Sequence, residues 1–316
     1  MKGKVVIFGG GLMGAGIACM SALAGHPTVL VDLREELAQR GAKTALQHAT
    51  ELVEAGLATP QACADAKQLL RATCDKREAC CDASLLIEAI VERVDAKQAL
   101  FCELEQYLAV DVPMLSNTSG LRITDICARM RNPERALTAH FWFPAYLVPL
   151  VEIVMHEKSS LSIAESVRNL LVQWGKAPVV VKRDQPGQLA NRILQAMIRE
   201  AVDIVESGLA TPSDVDTAIK MGPGIRLPAW GILEHADAVG IDLVKRVQDS
   251  TLGDIARNTK ASALLQKMLD NEQLGVKTGK GFYDWHSRSF SDLESLRNEM
   301  IVTAVKLMRT HKEGRE

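Results

Sequence analysis

The stretch from Lys4 to Asp32 constrains this chain more than any other. Val5-Val6-Ile7-Phe8 is short, apolar and rich in β-branched residues, which suits a buried strand better than a helix. Gly9-Gly10-Gly11-Leu12-Met13-Gly14 follows, with Gly9, Gly11 and Gly14 in the G-x-G-x-x-G spacing. A segment rich in Ala, Met and Leu then reads as helix to Gly25, and Thr28-Val29-Leu30-Val31 reads as a second strand ending in Asp32. Strand, glycine turn, helix, strand and acid in that order form the dinucleotide-binding fingerprint. Gly9 permits the tight turn, Gly11 lets backbone approach a pyrophosphate, and Gly14 lets the helix lie close to the strand. Leu12 and Met13 open that helix, whose unpaired N–H groups face the phosphates. Asp32 can accept from a ribose 2′-OH and would repel a 2′-phosphate, so the expected cofactor is NAD. Arg34 is the nearby cation that would pull the other way.

At 316 residues the chain has room for two domains. Its formal net charge of −2 gives no reason to expect binding to nucleic acid or an anionic membrane, and no apolar run is long enough to span a bilayer. The first strand begins by Val5, which leaves no room for a signal peptide. The cysteines, at positions 19, 63, 74, 80, 81, 102 and 127, are odd in number and lack C-x-x-C spacing. They suit reduced thiols in a cytoplasmic protein better than a disulfide framework or a metal site, and no metal is expected.

After Asp32 a long helix is expected from Glu35 to about Ala55, closed by Gly56. Thr59-Pro60 then restarts a helix as N-cap and first turn. The same punctuation, E-[AS]-G-L-A-T-P, recurs at Glu206–Pro212 without similarity around it. Further strands are expected over 85–90, 113–116, 136–140, 150–154 and 178–181, with a helix over 95–107. Strands alternating with helices imply a mostly parallel sheet covered on both faces. The pattern changes at Asp184-Gln185-Pro186-Gly187, and beyond it only helical periodicity remains, over 188–207, 213–221, 231–239, 242–250, 261–271 and 291–309. The fold class is therefore α/β: a Rossmann-type domain over 1–186 followed by an all-helical domain over 187–316. The glycine-rich Gly275–Tyr283 stretch reads as a plain turn.

Alcohol oxidation by NAD requires a base for the hydroxyl proton, usually a histidine. His26, His48, His156, His235, His286 and His311 read as surface or packing residues. His140 differs because it ends a strand in the α/β half, where ligand crevices form. Glu152 sits in the apolar run Pro149–Val154 and needs a partner if buried. A His140–Glu152 pair would orient the imidazole and help it take a proton, although the spacing alone leaves open whether the two meet.

Together, Gly9-x-Gly-x-x-Gly14, Glu88-Ala-Ile-Val-Glu92, Ser116-Asn-Thr-Ser119, His140-Phe-x-x-Pro144, Pro149-Leu-Val-Glu152, Pro186-Gly-x-x-x-Asn-Arg192 and Lys277-Thr-Gly-Lys-Gly-Phe-Tyr283 resemble the L-3-hydroxyacyl-CoA dehydrogenase family nearly end to end. The resemblance implies His140 as general base, Glu152 as its partner, Ser119 on the substrate oxygen and Asn191 near the substrate carbonyl. It places Glu92, Lys97 and Asn117 around the nicotinamide ribose. It also implies a small-molecule substrate, a role in fatty acid metabolism and a homodimer formed through the helical domain.

Two departures bear on the substrate. Phe143 stands where the family usually has Asn, and positions 45–65 carry no Lys or Arg to meet a CoA phosphate. Gly222–Glu234 is also more similar to the L-gulonate 3-dehydrogenase (lambda-crystallin) branch, and there Arg226 could hold a free carboxylate bidentately or simply cap a turn. Oxidation of an L-3-hydroxyacyl-CoA to the 3-ketoacyl-CoA is the leading expectation. A dehydrogenase of a small free 3-hydroxy acid, similar to the L-gulonate or carnitine enzymes, is the alternative. The 6-phosphogluconate-like enzymes use a lysine base, which the His140/Glu152 pattern disfavours. A non-catalytic NAD-sensing protein is disfavoured by the intact set of Ser119, His140, Glu152 and Asn191.

Overall fold

The computed structural model describes residues 3–313. The chain divides into two compact units, Met1–Ala190 and Asn191–Glu316. In chain order the first contains β1 (Lys4–Phe8), α1 (Leu12–Leu23), β2 (Thr28–Val31), α2 (Glu35–Glu54), α3 (Pro60–Leu69), β3 (Leu70–Thr73), α4 (Lys76–Cys80), β4 (Ala83–Glu88), α5 (Val94–Leu104), β5 (Met114–Ser116), α6 (Ile123–Ile126), β6 (Ala136–Phe141), β7 (Leu150–Val154), α7 (Leu161–Gln173) and β8 (Ala177–Val181). The eight strands form one sheet in the order β3-β2-β1-β4-β5-β6-β7-β8. The first six positions reproduce the doubly wound order that puts ligands at the carboxyl ends of the strands, where the winding reverses beside β1.

Every neighbouring pair is parallel except β6 and β7, which run antiparallel with His140 opposite Glu152. The strands expected from apolar runs are all present. β3 was not expected, because Leu-Arg-Ala-Thr is short, only partly buried and follows α3 with no breaker between them. It is the outermost strand, pairing with β2 alone. Val6, Phe8, Leu86 and Met114 on the strands pack with Phe101, Leu104, Ile123 and Ile126 on the helices, all nearly sealed from solvent. α1 is buried along most of its length, so its Ala- and Gly-rich composition reflects close packing rather than an amphipathic face.

The second unit holds α8 (Ala190–Glu206), α9 (Pro212–Ile219), a wide helical turn at Lys220–Gly224, α10 (Ile232–Val239), α11 (Ile241–Thr251), α12 (Ala263–Asp270) and α13 (Phe290–Glu313). The repeated E-[AS]-G-L-A-T-P words do the same job twice. Gly56 and Gly208 take left-handed backbone (φ 66° and 74°) after a helix, and Thr59 and Thr211 cap the next one by accepting from Ala62 N and Asp214 N. The sequence places the domain change at residue 186, whereas the compact units meet at Ala190/Asn191. The extra residues stay with the sheet because Gln188 Nε2 donates to Thr118 O, and the amides of Leu189 and Ala190 donate to Glu152 Oε1.

Candidate active site

The glycine turn between β1 and α1 builds a cradle. Gly9 has φ +100°, closed to most side chains, and a Cβ on Gly14 would lie 1.8 Å from the Gly9 carbonyl oxygen. That steric limit is what lets the N-terminus of α1 approach the end of β1. Gly11, the N-cap of α1, has no side-chain cap, and a Cβ there would meet nothing within 4 Å. Leu12 is exposed and Met13 half-buried beside these amides. Asp32 is aimed at the same turn, its Oδ2 accepting from Gly10 N and its Oδ1 from Leu33 N, both at 2.7 Å. A mainly apolar cavity of about 460 Å³, lined by Gly9, Gly11, Val31, Asp32, Ile90 and Leu100 among others, opens beside it. Free helix amides for phosphates, an apolar slot for a base and a carboxylate for a ribose together fit a dinucleotide.

The second feature lies where β4, β5 and β6 end. Glu88 is wholly buried and takes three short hydrogen bonds, from Lys97 Nζ (2.5 Å), Ser116 Oγ (2.6 Å) and Ile90 N (2.7 Å). Burial pushes its carboxyl upward, and Lys97 and Ser116 counter that. Lys97 is 1% exposed, and its ammonium also lies 3.2 Å from Glu92. Glu92 Oε1 in turn accepts from Thr118 Oγ1, Ser119 N and Gly120 N. Burial alone would raise the Glu92 carboxyl, but these donors together with Lys97 hold it below its ordinary value. The chain Glu88–Lys97–Glu92 therefore anchors the loop that carries Asn117 and Ser119. Asn117 Oδ1 accepts from Phe141 N (2.8 Å), which ties that loop to the strand ending in His140.

His140 Nδ1 lies 2.9 Å from Glu152 Oε2, with Glu152 fully buried and His140 8% exposed. Trp142 Nε1 donates to the same oxygen at 3.0 Å, while Leu189 N and Ala190 N occupy Oε1. Burial would raise the Glu152 carboxyl, yet the bonds from His140, Trp142, Ala190 and Leu189 outweigh it and bring the pKa down to about 2. Glu152 is therefore a carboxylate at neutral pH and can only accept. The proton on this side of the imidazole sits on Nδ1, which leaves Nε2 as the acceptor.

The 3-hydroxyacyl-CoA dehydrogenase NAD-binding domain matches residues 4–185, and the 3-hydroxyacyl-CoA dehydrogenase C-terminal domain matches residues 187–285. The chain belongs to the 3-hydroxyacyl-CoA dehydrogenase family. It is an NAD-dependent oxidoreductase of that type. The human mitochondrial hydroxyacyl-coenzyme A dehydrogenase is 34% identical over 298 residues, covering 89% of this chain and 90% of that one. The 5-formyl-3-hydroxy-2-methylpyridine 4-carboxylate 5-dehydrogenase of Mesorhizobium japonicum is 30% identical over 314 residues, covering 99% of each chain. A crystal structure of an enzyme of that same description, an NAD+-dependent dismutase, superposes with a TM-score of 0.87 at 29% identity and 98% coverage of both chains.

Within this dehydrogenase framework the expected residues fall into two groups. Glu92, Asn117, Ser119, His140 and Glu152 are tied together in the α/β unit by the bonds above. Lys97 belongs to the same network, but its ammonium is enclosed by Glu88 and Glu92, so it acts by holding Glu92. Asn191 and Arg226 belong to the helical unit. Asn191 lies in the first turn of α8 and accepts from Gln195 Nε2, and Arg226 lies exposed in a turn closed by Arg226 N to Pro223 O.

The sequence reading missed several residues. Glu88 and Ser116 had been read only as parts of motifs. Trp142 was hidden in the x of His-Phe-x-x-Pro. Lys176, 6% exposed, donates to the carbonyls of Ala145 (2.5 Å) and Val148 (3.0 Å) and so fastens the loop after Trp142. A lysine before the apolar Ala177–Val181 strand is the only local signal for it. His26 and His156 are buried structural residues: His26 Nδ1 bonds to Gly3 O, and His156 Nε2 to Pro133 O. The side chain of His311 lies outside the described residues.

Proposed function

We propose that this dehydrogenase oxidises the 3-hydroxyl of a small L-3-hydroxy acid derivative, with His140 as general base. The buried His140–Glu152 pair at the carboxyl end of β6 carries the proposal. His140 Nε2 takes the hydroxyl proton, and Glu152 stabilises the imidazolium as it forms. Ser119, on the loop pinned by Glu92, donates to the developing ketone oxygen, and Asn191 contacts the acyl carbonyl. Bound NAD supplies the hydride acceptor. Asp32 would hold its adenosine ribose, and Glu92 and Asn117 would lie beside the nicotinamide ribose.

Two substrate classes follow from the sequence, the acyl-CoA ester of fatty acid metabolism and the free acid. One observation favours the free acid. In the α2–α3 hairpin no Lys or Arg occurs between Lys43 and Lys67. Glu51, on α2, accepts from Tyr146 Oη (2.7 Å) and lies 3.3 Å from His48 Nδ1, with the His48 ring stacked on Tyr146 at 3.9 Å. A CoA phosphate would meet a carboxylate there. The Mesorhizobium relative is named for a carboxylate substrate, which agrees with this choice, and Arg226 would then hold the substrate carboxylate. The test is initial-rate NADH oxidation with acetoacetyl-CoA beside free acetoacetate and a panel of 3-oxo acids. Turnover of free acids alone supports the free-acid reading, and turnover of the CoA ester alone overturns it.

We also propose a cytoplasmic homodimer joined through the helical unit. The exposed Leu209 (77%), Met221 (72%) and Leu233 (81%) support that assembly.

A further inference from the structure

We propose that Trp142 is a positioning residue that sets the basicity of His140 through Glu152. The inference rests on the reading of His140 as base.

Among the described residues Glu152 Oε2 is the only carboxylate oxygen bonded to His140, and it is shared by two donors of different kinds. His140 Nδ1 lies at 2.9 Å and can carry charge, whereas Trp142 Nε1 lies at 3.0 Å and cannot. The indole leans over the imidazole, with ring centroids 5.6 Å apart at 49°, so the two donors approach from adjacent directions. The other oxygen, Oε1, is held by the amides of Leu189 and Ala190 at 2.9 and 2.8 Å, which prevents the carboxylate from turning away.

The surroundings contain little else that titrates. β8 pairs with β7 on its far side and places Val179 opposite Glu152, with only Ala, Pro and Val along the strand. β5, beside β6, places Ser116 opposite Thr138, and that serine is committed to Glu88. Asn117 is committed to Phe141 N. Asn191 and Arg192 continue the chain after Ala190 in α8. The charged groups closest in the network are therefore His140 itself and the Glu88–Lys97–Glu92 set, in which one ammonium is shared by two carboxylates.

A second donor on Oε2 draws off part of the negative charge that the imidazolium would otherwise use. The indole N–H thus stabilises the carboxylate while weakening its hold on the Nδ1 proton, and the imidazole is a weaker base than a lone His–Glu pair would make it. Trp142 also supplies a polar contact near the histidine in a segment where Phe143 has replaced the family's Asn.

The experiment measures the pH profile of kcat/KM in the oxidation direction, where neutral His140 is required. In Trp142→Phe the indole N–H is gone and an aromatic ring remains. The acid limb should move to higher pH by about half a unit, with NAD affinity unchanged. Replacing Trp142 with benzothienylalanine, which keeps the bicyclic shape and lacks the N–H, should reproduce the shift if the donor is responsible. In a Glu152→Gln background Trp142→Phe should move nothing further. An unmoved acid limb in both Trp142 replacements, or an equal shift in the Glu152→Gln background, overturns the proposal. His140→Ala separates this failure from that of the base assignment: if it abolishes turnover while the Trp142 replacements leave the profile in place, only the role of Trp142 falls. If His140→Ala keeps wild-type turnover, both fall.

Discussion

In the α/β unit both faces of the sheet are covered, and Val6, Ile7, Leu86, Ile87, Leu115 and Ile153 are sealed from solvent. In the helical unit Val202, Ala256 and Val305 are the only buried apolar side chains among the described residues. The contrast does not reflect poorer helix-forming sequence, since α8 and α11 are strongly amphipathic and Thr211 caps α9 with a full capping box. It reflects where the apolar stripes find partners. Burying one leucine contributes about 1.5–3 kcal/mol, and the second unit leaves Leu209, Leu233 and Met221 exposed. The first unit completes its own core and can spend polar residues on a site. The second leaves much of its apolar surface exposed.

Substitutions in each region can break or sharpen this comparison. His140→Ala, in the self-contained unit, should reduce turnover about 10²- to 10⁴-fold while NAD binding persists. Parallel loss of NAD binding in titrations would mean that the histidine supports the fold rather than the chemistry. Lys97→Met takes from buried Glu88 its ammonium partner, so the α/β unit should lose about 3–5 kcal/mol. That corresponds to a fall in Tm on the order of 10 °C by calorimetry, and an unchanged Tm would show that the buried pair does not hold the unit together. Leu233→Asp, at an exposed site of the helical unit, should shift a dimer toward monomer in sedimentation velocity. If assembly is indifferent to it, the apolar surface serves something other than a second copy. The smallest expected effect is that of Asp32→Ala, which should narrow the NAD-over-NADP preference by about tenfold. A constant ratio of kcat/KM values would assign the selectivity elsewhere in the cradle.

Much of the α/β unit was legible because its signals are local. The fingerprint from Lys4 to Asp32 is one continuous segment, and Gly9 and Gly14 meet conformational and steric demands set at that turn. The buried strands announced themselves as apolar runs, and the two Thr-Pro helix starts as caps. What escaped notice had weak local contrast or long reach. β3 is a short, half-exposed outermost strand. Trp142 and Lys176 act on residues contributed by other elements. The Leu189 and Ala190 amides, which move the boundary between the units past residue 186, carry no side-chain signal at all. The hairpin's lack of cations was visible in sequence, but the engagement of Glu51 with Tyr146 and His48 was not.

By itself the sequence determined that this chain binds NAD in a Rossmann-type domain and continues into helices, because cofactor cradles and periodic faces are encoded by neighbouring residues. Whether His140 and Glu152 meet was decided only in the folded sheet. The antiparallel pairing of β6 and β7 sets residue 140 opposite residue 152, and a shift of one position would have turned the two side chains to opposite faces. The same tertiary packing converges four donors on Glu152 and makes it a carboxylate of unusually low pKa, since hydrogen bonds to a buried charge depend on groups that are distant along the chain and adjacent in space.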